Sequence, residues 1–244
     1  MDLEAGLSLR DAALDLLLGG ACLGCGRPGW LVCADCGAAL PDRAAPAWPT
    51  PMPAGLAIPW AMGPYAGVLR AIVLGHKEHR LLALRPVLGR LLAGSVAGAA
   101  VPGLPVVLVP VPSRPAAVRA RGHDHTWEIS RAAGTTLRRL DIDVRVARLL
   151  SSRRDIADQA GLTADERAEN LAGSLQVRSG SLARLARWRP RVQVVVCDDV
   201  LTTGATAREA QRALEVIGLP VNAIAVVAAT QRWINLGGEW RGSR

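Results

Sequence analysis

Residues 194–206 read VVVCDDVLTTGAT, an apolar run that meets two adjacent aspartates and then a Thr-Gly-rich stretch. Thr202, Thr203 and Thr206 offer hydroxyls, and Gly204 lets the backbone turn sharply or approach a ligand closely. Helical spacing begins near Ala205, so free N–H groups of a helix start would point into the loop and form a nest for a phosphate dianion. Two carboxylates gain nothing from a phosphate. Asp198 and Asp199 can instead accept hydrogen bonds from vicinal hydroxyls or hold Mg²⁺. A ligand with a sugar diol at one end and a 5′-phosphate at the other, such as ribose 5-phosphate or an activated form of it, satisfies both halves. A helix N-cap with an acidic neighbour would account for one aspartate or one threonine, but not for two acids followed by three threonines and a glycine.

A second cluster lies near the N-terminus. CLGCGRPGWLVCADC spaces Cys22, Cys25, Cys33 and Cys36 as two C-x-x-C pairs. Four thiolates at this spacing suit tetrahedral Zn²⁺. Disulfides are not expected in a cytosolic chain, and a redox C-x-x-C would call for a neighbouring βαβ pattern that is missing here. A head with so little else to bury would draw its folding energy from the metal. GCGRPG at 24–29 matches G-x-G-x-x-G, but no strand precedes it, Pro28 interrupts it and the knuckle accounts for its glycines, so no dinucleotide site is expected. Cys197 sits in an apolar run and reads as inert packing. His123 and His125 form an H-x-H with no evident third ligand and read as loop residues; His76 and His79 read as surface groups.

These groups need elements to carry them. Half of the 244 residues are hydrophobic, with seven Trp, one Tyr and no Phe, so the core must be built from Leu, Val, Ala and Ile. The net charge is +8, and Lys77 is the only lysine. Such a charge fits either an arginine-rich bias or attraction to polyanions. Residues 1–41 read as an amphipathic helix on Leu7, Leu14, Leu17 and Leu18 followed by the four-cysteine ribbon, 42–59 as a stiff Pro-rich linker, and 60–244 as the main body. Segments 69–74, 81–96, 124–140 and 205–217 have helical character; 105–112, 144–150, 174–177, 192–197 and 221–229 read as strands. The alternation predicts an α/β domain with a mostly parallel sheet flanked by helices. Ligands of such sheets bind beyond the carboxyl ends of strands, where DDVLTTGAT lies. The apolar stretch at 81–101 carries Arg85, Pro86 and Arg90, which argues against a membrane span. Asp11 and Asp15 interrupt the N-terminal apolar segment, so a soluble cytoplasmic protein is expected.

VVVCDDVLTTGAT also resembles the phosphoribosyl pyrophosphate (PRPP) motif of type I phosphoribosyltransferases. The order of the four cysteines, YAGVLRAIVLGHK, VPVPSRPAAVRARGHDH, RRDIADQAGLTADERAENLAGSL and that motif resembles the competence protein F (ComF) family across nearly the whole chain. The resemblance implies a type I phosphoribosyltransferase-like sheet with a small N-terminal zinc ribbon. It implies that Asp198 and Asp199 hold the ribose hydroxyls and that Thr202, Thr203, Gly204, Ala205 and Thr206 cradle the 5′-phosphate. Ser113, Arg114 and Arg121 would grip pyrophosphate, with Mg²⁺ accompanying PRPP and Zn²⁺ structural. Arg153, Arg154, Gln159, Arg167 and Asn170 would belong to a loop that closes over the ligand. Lys77 falls on the family's lysine, and Lys77 and Arg114 are the candidates for catalysis.

Two departures stand out. His123-Asp124-His125 replaces the family's aromatic-Asn-Gln, and Thr202 stands where many purine-type relatives carry a carboxylate base; threonine has no useful basicity near neutral pH. The implied activity is displacement of pyrophosphate from PRPP by an unknown acceptor, linked by resemblance to DNA uptake. The alternative is a non-catalytic zinc-ribbon adaptor for single-stranded DNA and the DNA-uptake machinery, with the PRPP site serving regulation.

Overall fold

Apolar runs without polar interruption sit between two covering layers, and three such runs form the centre of one sheet. The computed structural model describes residues 20–153, 173–189 and 191–230. The helix expected on Leu7–Leu18 and the loop positions Arg154, Gln159, Arg167 and Asn170 lie outside the described residues. The central strands are β3 (Val106–Pro110), β7 (Gln193–Leu201) and β8 (Ala223–Ala229). With β1 (Ala45–Pro46), β2 (Pro59–Pro64) and β4 (Val144–Val146) they make a six-stranded sheet of order β1-β2-β8-β7-β3-β4. Every pairing is parallel except that of β1 with β2. A separate antiparallel pair joins β5 (Leu150–Ser152) to β6 (Leu175–Val177). The mostly parallel α/β architecture expected from the sequence is therefore present.

The period of two along each strand assigns the layers. Val106, Leu108, Val195, Cys197, Ala225 and Val227 face a core shared with α2 (Gly67–Lys77), α3 (Arg85–Ala99) and α5 (His125–Arg139). Val107, Val109, Val194, Val196, Ile224 and Val226 face the other way, onto α7 (Ala205–Glu215) and the β5–β6 pair. Short helices α1 (Ala34–Ala38), α4 (Pro115–Arg121) and α6 (Ser179–Ala186) complete the described elements. Fully buried Ile72, Leu92, Leu137, Leu214 and Ile224 anchor the two layers, each contributing roughly 1.5–3 kcal/mol by burial.

Four local readings change. The 81–96 segment divides into a 3₁₀ turn at Leu82–Leu84 and then α3, because Pro86 fits only the first helical turn. The stretch Leu82–Ala99, the 3₁₀ turn together with α3, is apolar and long enough for a membrane span, yet Leu88, Leu92 and Val96 are buried core residues. The 144–150 run is two strands: β4 pairs with β3 over three residues, and the chain then crosses to the β5–β6 pair. β7 extends beyond Cys197 because β8 continues beside it, with Val200 opposite Ala228 and Leu201 opposite Ala229. In the Pro-rich stretch, Ala45 and Pro46 pair with Ala61 and Trp60, and Ala47 is buried, so this segment lies along the sheet edge.

Candidate functional site

Chain direction makes the crevice. From β3 the chain passes through α4 and α5 to β4; from β7 it passes through α7 to β8, on the other side of the sheet order and on the opposite face. The carboxyl ends of β3 and β7 therefore flank a topological switch point, the position at which open α/β sheets bind ligands. A cleft of about 250 Å³ opens there, lined by Lys77, Ser113, His125, Asp198, Asp199, Thr202 and Thr206 among others.

β3 ends at Pro110 opposite Cys197, so β7 carries its two acids past the end of its neighbour. Asp198 Oδ1 accepts from the Asp199 amide at 2.8 Å, and Asp199 Oδ1 accepts from the Val200 amide at 2.9 Å. The side chains thus satisfy amides at the open edge of the strand. Lys77, at the C-terminus of α2, donates from Nζ to Asp199 Oδ2 at 2.8 Å, and His125 Nε2 lies 3.2 Å from the same oxygen. Burial would raise the Asp199 carboxyl, but His125 and the Lys77 ammonium hold it well below the usual carboxylate range. Asp198 is pushed the other way, first by burial and then by the negative charge of Asp199. Burial works against the Lys77 charge, yet the aspartates raise its pKa above the ordinary lysine value. Two adjacent acids therefore hold opposite tendencies, one fixed as an anion and one favouring its proton.

The turn after β7 reaches α7 through Gly204, whose φ of 76° is the left-handed conformation a glycine adopts freely. A Cβ at this position would lie 3.0 Å from Pro49 Cγ, 3.3 Å from Leu56 Cδ2 and 3.3 Å from Pro53 Cγ. The Pro-rich segment thus packs against the turn. Helix α7 begins without a side-chain cap on Gly204 and without an acid in its first turn, while Thr203 Oγ1 accepts weakly from the Ala205 amide at 3.4 Å. Its first amides and the positive end of its dipole suit an anion. Thr202, Thr203 and Thr206 are exposed around them.

On the other wall, Ser113 Oγ donates to Asp124 Oδ1 at 3.0 Å and lies 3.3 Å from His125 Nδ1. Asp124 is the N-cap of α5 and accepts from the Trp127 amide at 3.3 Å. Arg114 is the exposed N-cap residue of α4. Arg121 does not line the cleft: it makes a two-point contact with Glu78, at 3.0 and 2.9 Å, next to Lys77. Arg153 donates its amide to the Ser174 carbonyl at 2.8 Å, and Glu209 of α7 accepts from the Leu175 amide at 3.0 Å, tying the β5–β6 pair to the site helix.

Two histidines sit elsewhere than expected. His125 is a buried cleft residue, and His76 is 1% exposed, its pKa lowered to about 4 first by burial and then by His123. His79 is exposed, as expected. The departure from Asn-Gln at 124–125 was the available signal for His125. Cys197 is fully buried, and burial pushes its thiol pKa up, in keeping with inert packing.

The sulfurs of Cys22, Cys25, Cys33 and Cys36 all lie within 4.8 Å of one another, with Cys25 and Cys33 at 3.7 Å. Tetrahedral Zn²⁺ with bonds of about 2.3 Å places its sulfurs about 3.8 Å apart, so the donor set fits. Burial would raise the Cys22 thiol, but amides of Cys33, Cys25 and Gly24 bring it down to about 6, while the hydrogen bond to Cys22 pushes Cys36 up to about 12, so a metal must displace the proton these sulfurs share. A Cβ on Gly24 would lie 2.7 Å from Cys36 Sγ and 2.8 Å from Val68 Cγ2, so the absent side chain lets the knuckle close and dock on α2. Leu23, Leu31 and Val32 pack against the core that contains Leu69, Ile72 and Val73.

No family model matches the chain, and no curated protein matches it either. Among solved structures it is similar to a glutamic acid mutant from an analysis of an invariant aspartic acid in HPRTs, at 12% identity over 68% of this chain and 75% of that one, with a TM-score of 0.32. The glutamine mutant of the same analysis is similar at 13% identity over 68% and 75%, with a TM-score of 0.32. Trypanosoma cruzi hypoxanthine phosphoribosyl transferase is similar at 13% identity over 68% of this chain and 72% of that one, again with a TM-score of 0.32. Likenesses this distant do not bear on what the cleft binds.

Proposed function

We propose that the cleft binds PRPP and that the protein is a ComF-like phosphoribosyltransferase acting on an unknown acceptor. The observation that carries this reading is the convergence of the Asp198–Asp199 pair and the start of α7 on one cleft at a switch point. The acids would accept from the ribose hydroxyls. Thr202–Thr206 and the α7 amides would receive the 5′-phosphate. Ser113 and Arg114 would face the pyrophosphate, together with arginines of the segment that starts at Arg153. Arg121 would join them only by leaving Glu78, its present partner.

Displacement at the anomeric carbon passes through a cation-like ribosyl state, and the described residues would contribute position and charge rather than a covalent bond. Mg²⁺ would supply charge neutralisation on the leaving pyrophosphate. Lys77 keeps Asp199 in place at 2.8 Å and brings positive charge to the cleft. Thr202 supplies no base, so the acceptor must be a good nucleophile or be deprotonated by another group. The four-cysteine ribbon would hold structural Zn²⁺ and brace α2, the helix that ends in Lys77.

A second reading, an adaptor for single-stranded DNA, has one specific support. Arg148 stacks over Trp127 at 4.1 Å, and Arg145 and Arg189 lie over Trp188 at 5.8 and 5.5 Å. Arginine–aromatic surfaces of this kind suit unpaired bases and phosphates. Release of pyrophosphate from PRPP across a panel of bases and amines tests the transferase, and its absence despite PRPP binding would leave a ligand-sensing role. A gel shift of single-stranded DNA over a salt series tests the adaptor, and a Trp188→Ala variant with unchanged binding would count against it.

A further inference from the structure

His125 contacts both walls of the cleft. It opens α5, is 5% exposed, and places Nδ1 at 3.3 Å from Ser113 Oγ and Nε2 at 3.2 Å from Asp199 Oδ2. Ser113 lies beyond the end of β3, whereas Asp199 belongs to β7. The proton inventory sets the direction of each contact. Ser113 gives its one hydroxyl proton to Asp124 Oδ1 at 3.0 Å, so it turns a lone pair to the ring. Asp199 is held as an anion and can only accept. Both ring nitrogens therefore face acceptors: Nδ1 is within hydrogen-bond distance of Ser113, whereas Nε2 approaches Asp199 as an ion-pair contact outside hydrogen-bond geometry, and the two contacts are favourable together only for the imidazolium form. Lys77, Asp198 and Asp124 are the other charged groups around this junction, with His76 nearby.

We infer that His125 is a positioning residue that couples the two halves of the cleft, so that a ligand on the β7 side and an anion on the β3 side bind cooperatively. The inference rests on the PRPP reading for the identity of the two halves. A hydroxyl ligand at the acid pair fixes Asp199, Asp199 fixes the imidazole, and the imidazole fixes the Ser113 hydroxyl and its loop. Filling the second half then restricts fewer groups. A glutamine at this position could offer a donor to one wall while its oxygen accepts; the imidazolium carries an N–H toward each wall.

The test uses ribose 5-phosphate and pyrophosphate as separate calorimetric probes of the full chain. Saturating pyrophosphate should tighten ribose 5-phosphate about fivefold, with the reciprocal effect of equal size, the lower end of ordinary coupling. His125→Phe should abolish the coupling, His125→Gln should restore part of it, and His125→Asn, which reaches only the Ser113 side, should not. The Asn variant serves if the Phe variant fails to fold. Coupling that persists in both, or is missing from the wild type when both probes bind, overturns the inference. Ring ¹⁵N signals of the ligand-free protein give an independent arm: Ser113→Ala should move Nδ1 and Asp199→Asn should move Nε2. A ring insensitive to either change overturns the bridge. A responsive ring in a protein that binds neither probe overturns the ligand reading and the cooperativity built on it, leaving the bridge itself in place.

Discussion

Lys77→Met and Asp199→Asn, made singly and together, measure how firmly the acid pair is anchored. At 2.8 Å the Lys77–Asp199 attraction amounts to about 6 kcal/mol with an effective dielectric of about 20. Desolvation of the carboxylate removes several kcal/mol of this, since the Asp199 side chain is only 6% exposed, whereas the Lys77 side chain keeps 28% exposure. Removing Lys77 leaves a buried anion with only His125 and the Val200 amide beside it and should cost about 3 kcal/mol. Removing the Asp199 charge leaves an ammonium that can turn toward water and should cost about 2 kcal/mol. The double variant should lose about 2 kcal/mol rather than the sum, a coupling near 3 kcal/mol. Urea denaturation of the four proteins at neutral pH reads these values. Additivity within about 0.5 kcal/mol would mark the pair as an ordinary screened surface contact and refute the anchoring of Asp199.

Three further outcomes follow from the geometry. Gly204→Ala forces a side chain into φ 76° and against Pro49 at 3.0 Å, so stability should fall by about 2 kcal/mol and inorganic phosphate should bind more weakly; an unchanged urea midpoint would contradict the packing of the turn. His76 titrates near 4 when folded and near 6.5 when unfolded, so the unfolded chain takes up its proton first; the contribution is complete above pH 6.5 and is lost as pH falls toward 4. The loss is on the order of 3 kcal/mol, and thermal midpoints across this window should fall more steeply for wild type than for His76→Gln. Chelation should release about one Zn²⁺ per chain, lower the thermal midpoint and make α2 more open to protease, because the knuckle packs on that helix; a chelator-treated protein with an unchanged midpoint would separate the cysteine cluster from the fold.

The legible parts of the molecule are those whose signal is local. The valine runs of β3 and β7 read as covered parallel strands because burial on both faces removes polar alternation, and α7 reads as a helix from its spacing. The acid pair and the Thr-Gly turn stand in one stretch, so their joint chemistry is visible in the sequence. β2 is not: prolines at both ends and Trp60 disguise a strand whose conformation is enforced by pairing with β8. The division of 144–150 is likewise a tertiary decision, since β4 and β5 join different sheets. Lys77 meets Asp199 across 122 residues; its standing as the sole lysine and its place in the resemblance hinted at a role, but not at this partner. Arg121 and His125 show the limit of reading charge by motif. A nearby Glu78 engages the arginine, whereas the histidine, outwardly a loop residue, has partners on two strand ends.

The most direct test is a calorimetric titration of the full chain with PRPP in the presence of Mg²⁺, repeated on the Asp198→Asn, Asp199→Asn double variant after circular dichroism has shown that it is folded. The expected result is saturable binding at one site per chain in the wild type and at least a tenfold loss of affinity in the variant, about 1.4 kcal/mol or more. No binding by the wild-type protein, or equal affinity in the two, would contradict the assignment of the cleft.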